Sequence, residues 1–220
     1  MESREVQIKS EDKYIGGTLF VPDNAKGMIV FAHGSGSSRF SPRNNFVAAE
    51  LQKSNFATLL VDLLTSEEEA QDLITLEHRF DIEFLCQRLT DATKYAGLNS
   101  STNHLPVAYF GSSTGAAAAL MASAASNDTY AIVSRGGRPD MAQDYLSKIN
   151  SAVLLIVGEL DKEVISLNEQ ALRKMNSVKD KQLEIIPDAS HLFEEPGALE
   201  EVVRLSKNWF NKHLPKSPAG

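Results

Sequence analysis

"YFGSSTGAAAA", residues 109–119, runs from two aromatic residues through a glycine and two serines to a second glycine and four alanines. An apolar strand that turns at once into a helix is the reading these letters support. Gly111 and Gly115 frame a Gly-x-Ser-x-Gly pattern whose central residue is Ser113. A side chain can be presented at so sharp a turn only if its neighbours are small, and the turn holds it in a strained backbone conformation. The alanines from 116 to 119 let the following helix lie close against adjacent strands, and Ser112 then faces the inside of the turn. The same letters also suit a serine-capped, alanine-rich helix without chemistry.

Outward from this stretch, bare apolar runs recur in "GMIVFAHGSG" (27–36), "FATLLVDLL" (56–64), "YAIVSRGG" (130–137), "AVLLIVGELD" (152–161) and "KQLEIIPDAS" (181–190). Residues apolar in succession suit strands buried on both faces, hence a parallel sheet covered by helices. Two shorter strands at 5–10 and 14–21, joined by a polar turn around Asp12, predict an antiparallel hairpin at the start. Helical patterns fill 42–54, 68–97, 114–126, 139–149, 166–176 and 197–214; the last puts Leu199, Val202, Leu205, Trp209 and Phe210 on one stripe. The count is eight strands and about six helices without linker or repeat, so the 220 residues read as one doubly wound α/β domain. The tail "PKSPAG" (215–220) reads as a frayed end.

Composition narrows the function. With 42% hydrophobic and 23% charged residues the chain is an ordinary globular one. The net charge of −7 gives no footprint for nucleic acid or an anionic membrane, and "SEEEAQD" (66–72) reads as a solvated helix start. No apolar run approaches the roughly 18 residues of a membrane span. The polar start MESREVQIKS and the single cysteine, Cys86, point to the cytoplasm.

A serine hydroxyl needs a base to take its proton, usually a histidine oriented by a carboxylate. His78 lies in a helical segment, His104 in a polar loop and His213 near the last helix end, while His33 belongs to a glycine-rich loop that it braces. His191, in "PDASHLFEEPG", follows the last strand and so lies at the sheet edge that holds Ser113. The carboxylate comes from "LLIVGELDKEV": Asp161 lies clear of the strand end, with Glu159 as the fallback and a helix cap as the plain structural role of Asp161. The backbone N–H of Thr114, next after the nucleophile, supplies one donor for an oxyanion.

The order Ser113, Asp161, His191 is that of the α/β-hydrolase fold, with the acid after the seventh strand and the base after the eighth. Within that fold the chain resembles the dienelactone-hydrolase-related group of small serine hydrolases over roughly residues 5 to 214, through "VFAHGSGSS", "GSSTGA", "VGELDKEV" and "DASHLFEEPG". The eponymous enzymes use a cysteine nucleophile where this chain has Ser113, and Cys86, mid-helix, cannot replace it. The departure favours ordinary ester chemistry. The resemblance implies a mostly parallel eight-stranded sheet without a large lid, and Ser35 N–H as the second oxyanion donor, with Gly34 the nearest alternative. It further implies cleavage of a carboxylic ester, lactone or thioester through an acyl-enzyme, with no metal or organic cofactor. Amidase chemistry is a weaker version of this, and a non-catalytic binding or regulatory protein on the same fold is the alternative.

Fewer than 20 residues separate the sixth and seventh strands, too few for a lid. Arg135 and Arg138 flank Gly136 and Gly137 there, while Arg39 and Arg43 follow the glycine-rich loop. Arg135 and Arg39 are candidates to hold a substrate anion; pairing with surface acids is the competing reading.

Overall fold

The computed structural model describes residues 3–216. Eight strands form one sheet in the order β1-β2-β4-β3-β5-β6-β7-β8. The hairpin of β1 (Arg4–Ser10) and β2 (Lys13–Phe20) is antiparallel and joins β4 (Phe56–Val61) antiparallel as well. From β4 onward the sheet is parallel: β3 (Gly27–Ala32), β5 (Val107–Ser112), β6 (Thr129–Arg135), β7 (Ala152–Gly158) and β8 (Lys181–Ile186). β3 and β4 are buried at every position, as continuous apolar runs require of a sheet covered on both sides.

Side chains alternate between two cores. On one face Leu59, Tyr109, Ile132 and Leu155 pack with residues of α3 (Ile82–Leu98), α4 (Thr114–Ser126), α5 (Lys162–Lys174) and a 3-10 segment (Pro139–Lys148). On the other, Phe31, Phe110, Val133 and Ile156 meet Val47 and Leu51 of α1 (Pro42–Gln52) and Trp209 and Phe210 of α6 (Ala198–His213). Phe31 and Phe110 lie with ring centroids 4.9 Å apart, and each such buried ring contributes ~2–3 kcal/mol of transfer free energy. All parallel strands end at one edge of the sheet, where the candidate residues gather.

Three helical segments differ from the sequence expectation, one of them only in that α5 begins at Lys162 and not at 166. The single helix expected over 68–97 is two, α2 (Ser66–Thr75) and α3, and His78 lies in the loop between them. Leu76 adopts a left-handed conformation (φ 60°), and the Asp72 carboxylate accepts the N–H groups of His78 and Arg79 at 2.8 and 3.0 Å. Asp81 then caps α3 by accepting Phe84 N–H at 3.0 Å. No glycine or proline marks this break; a side chain bonding to backbone makes it. The 139–149 helix is instead 3-10 in character and kinked at Gln143 (φ 46°, ψ −124°). Of the C-terminal tail, 217–220 lie outside the described residues. Among the described residues no helix is long and apolar enough to cross a membrane.

Candidate active site

β5 ends at Ser112 and α4 begins at Thr114, so Ser113 alone makes the turn. Its backbone sits at φ 50° and ψ −121°, a region that costs a non-glycine residue ~1–3 kcal/mol. The surroundings hold it there. Ser113 N–H donates to the Arg135 carbonyl at 3.3 Å, and the Ser113 carbonyl accepts from Ala116 N–H and Arg138 N–H, both at 3.1 Å.

The framing glycines are required by space. A Cβ on Gly111 would lie 2.4 Å from Ala116 Cα, and one on Gly115 would lie 2.3 Å from the His33 carbonyl oxygen and 2.4 Å from that of Ala32. The second contact is where α4 crosses the end of β3, and both obstacles are backbone atoms that cannot rotate away. Gly115→Ala is therefore expected to destabilise by roughly 3 kcal/mol or more, the upper range for overpacking, read as a lower denaturant midpoint.

The two serines part company at the turn. Ser112 is buried, its Oγ donating to Asn44 Oδ1 at 2.9 Å and accepting from Arg135 Nη2 at 2.9 Å. Ser113 Oγ makes no hydrogen bond among the described residues, and Ser113 lines a cavity of about 220 Å³ together with His191, Ser35 and Arg135.

His191 and Asp161 meet across the ends of β8 and β7: Nδ1 of the imidazole lies 2.5 Å from Asp161 Oδ2. Asp161 stands at the N-cap of α5 yet makes no side-chain cap bond, because its carboxylate is turned to the histidine. The capping role open to it in the sequence is thus not taken up. Glu159 does something else, accepting Asp188 N–H at 3.1 Å to brace the loop after β8. The His191 ring rests over Gly136, whose missing Cβ would touch Cε1 at 3.4 Å. Its Nε2 has no hydrogen-bond partner among the described residues.

The glycine-rich loop after β3 approaches the elbow from the other side. Ser35 Oγ and Thr114 Oγ1 are 3.0 Å apart, which fixes the two loops side by side. Thr114 is the first residue of α4, so its N–H has no intrahelical acceptor. A Cβ on Gly34 would come within 3.0 Å of Ser113 Cβ. His33 braces this loop: Nδ1–H donates to the Gly34 carbonyl at 2.9 Å, and Nε2 accepts Leu63 N–H at 2.9 Å. That pattern demands the neutral imidazole, and burial pushes its pKa down from the ordinary value.

The arginines divide. Arg39 lies in a second cavity of about 180 Å³ beyond the loop and is paired with Asp62 and Glu5, so the structure does not bring it to Ser113. Arg138 is paired with Asp140 at 2.8 Å. Arg135 is buried beneath the elbow, opposite Ser112 in the β5–β6 register, and has no carboxylate partner among the described residues. Asn44 was not among the sequence candidates; a polar residue in the first turn of a helix reads as exposed, and only its contact with Ser112 shows otherwise. Cys86 is buried, its thiol pushed up to about 11 by desolvation, far from any nucleophilic use.

A family model described as "Dienelactone hydrolase family" matches residues 15–214. The crystal structure of a dienelactone hydrolase from Anabaena variabilis ATCC 29413 is 50% identical, with a TM-score of 0.93 over 97% of this chain and 99% of that one. Est1E from Butyrivibrio proteoclasticus, 15% identical with a TM-score of 0.78 over 96% and 99% of the two chains, shares the fold. Two curated proteins from strains of Mycobacterium tuberculosis, each named "Putative phosphoribosyl transferase", are 47% identical over 215 residues, which is 97% of this chain and 47% of theirs. The chain spans about half the length of these curated relatives.

Proposed function

The chain belongs to the dienelactone hydrolase family, and we propose that within it this protein is a serine hydrolase that cleaves carboxylic esters through an acyl-enzyme on Ser113. The observation that carries the reading is the 2.5 Å contact of His191 with Asp161, made on a ring that shares one cavity with the strained Ser113. The carboxylate keeps the proton on Nδ1, so the Nε2 lone pair is free to act as base.

In the proposed reaction Nε2 takes the Ser113 Oγ proton as the oxygen attacks the acyl carbon. The N–H groups of Ser35 and Thr114 meet the resulting oxyanion, and loss of one such donor typically costs ~3 kcal/mol in the barrier. Collapse breaks the bond to the leaving oxygen, which takes the proton from His191. Water then repeats the sequence on the acyl-enzyme, with His191 again accepting a proton, and frees the acid and Ser113. All groups come from the chain itself. Phosphoribosyl transfer, the name carried by relatives twice as long, is not part of this reading.

A fluorophosphonate probe tests it. The adduct is expected on Ser113, whereas Ser112, whose hydroxyl is engaged by Asn44 and Arg135, stays unlabelled. Mass spectrometry that places the adduct on Ser112, or finds none on protein that hydrolyses esters, rejects the assignment.

A further inference from the structure

Asp161 is the N-cap of α5, and the buried stripe that follows it is Val164, Asn168 and Ala171. Asn168 is the polar member of that stripe and is fully buried. Its Nδ2 donates to the Gly137 carbonyl at 3.0 Å and to the Val164 carbonyl at 2.7 Å, while Oδ1 is buried without a partner. A half-satisfied amide in an apolar layer weakens a fold, so packing does not account for it.

The amide holds the short strap that follows β6. Gly137 has no room for a side chain: a Cβ there would lie 1.9 Å from Ser134 Oγ and 2.7 Å from Ala116 Cβ. The strap thus runs tightly between the end of β6, the first turn of α4 and α5. The residues on either side of Gly137 touch the candidate machinery. Gly136, at φ 53°, lies under His191, and a Cβ on it would come 3.1 Å from the His191 carbonyl oxygen and 3.5 Å from Nδ1. Arg138 N–H donates to the Ser113 carbonyl at 3.1 Å.

We propose that Asn168 is a positioning residue of the proposed hydrolysis. By anchoring Gly137 it holds one backbone segment, 136–138, where that segment meets both the turn of Ser113 and the ring of His191. One helix then sets the alignment of all three groups. α5 presents the Asp161 carboxylate at its start and, seven residues or two turns further on, anchors the seat of the other two. The part of Asn168 in turnover rests on the serine-hydrolase reading; the anchoring of the strap does not.

Three variants separate positioning from mere support. Asn168→Leu has nearly the same volume and removes both bonds together with the unpaired oxygen, so it is expected to fold. Its kcat for a small neutral acetate ester should fall roughly 10- to 100-fold with KM within about threefold, since a misplacement of ~1 Å can cost 10²-fold. Asn168→Thr has a hydroxyl that can bond the Val164 carbonyl but is too short for Gly137, and should be as slow. Asn168→Asp supplies a pH signature. Burial raises the pKa of the introduced carboxyl, and only its protonated form can donate to the Gly137 carbonyl. Its kcat relative to the wild type at the same pH should therefore climb as pH falls through that pKa.

A kcat within about twofold of the wild type in Asn168→Leu or Asn168→Thr would overturn the proposal. So would a loss that only tracks the unfolded fraction, or a flat ratio across pH for Asn168→Asp. Should Asn168→Leu fail to fold, the other two variants decide. If the wild type cleaves no ester, the hydrolase reading fails, and the anchor is judged by hydrogen exchange. Gly136 N–H, bonded to the Ile156 carbonyl at 2.8 Å, should then exchange about tenfold faster or more in Asn168→Thr. An unchanged rate would reject the anchor.

Discussion

Ser113→Ala is expected to fold as the parent does while losing ~10³-fold or more in kcat, and ~10⁶-fold if the three side chains act as one unit. The substitution removes only Oγ, which bonds to nothing among the described residues. Alanine keeps Cβ, so the strain at φ 50° is the same in both proteins and the melting temperature should barely move. Substrate turnover by the variant within about tenfold of the parent would remove Ser113 from the chemistry. Ser112→Ala is the paired control: it takes one hydrogen bond each from Asn44 and Arg135 and should cost stability of about 1–2 kcal/mol before it costs rate.

Asp161→Asn should lower kcat by about 10⁴-fold at an unchanged fold. The amide is isosteric, but it can turn an NH₂ towards Nδ1. The imidazole then carries its proton on Nε2, where it can no longer accept one from Ser113. Because Asp161 makes no cap bond to α5, the helix loses no hydrogen bond by the exchange, only ~0.3–1 kcal/mol of charge–dipole attraction. Glu159→Gln, which can still accept Asp188 N–H through its amide oxygen, should stay within a few-fold of the parent. Rates ranked the other way round would transfer the acid's role to Glu159.

The parallel core was legible because buried strands must be apolar at consecutive residues, and those runs stand out in the chain. The elbow was legible for a steric reason: Gly111 and Gly115 each face backbone within 2.4 Å, so the small residues had to be there. Asp161 and His191 could be placed because both follow parallel strands and must emerge at one edge. The break between α2 and α3 was hidden, since Leu76 adopts a left-handed turn on the strength of Asp72 bonding to backbone six and seven residues on. The arginines were ambiguous for a related reason. Arg39 and Arg135 follow strands or loops of the same edge, and only the positions of Asp62 and Glu5 separate the paired one from the unpaired one.

β8 lies at the margin of the sheet, bonded to β7 alone and mostly half-covered or exposed along its length. β5, which leads into Ser113, is nearly all buried and lies between two strands. Opening free energies are smallest where backbone pairing is one-sided and burial thin. The proposed general base, His191, therefore hangs from one of the two margins of the sheet that peel away most readily, and the proposed nucleophile, Ser113, from a part that opens only with the whole. As the temperature rises, competence should be lost by fraying of this one margin while the bulk of helix and sheet persists, and it should return on cooling for as long as the interior has not opened.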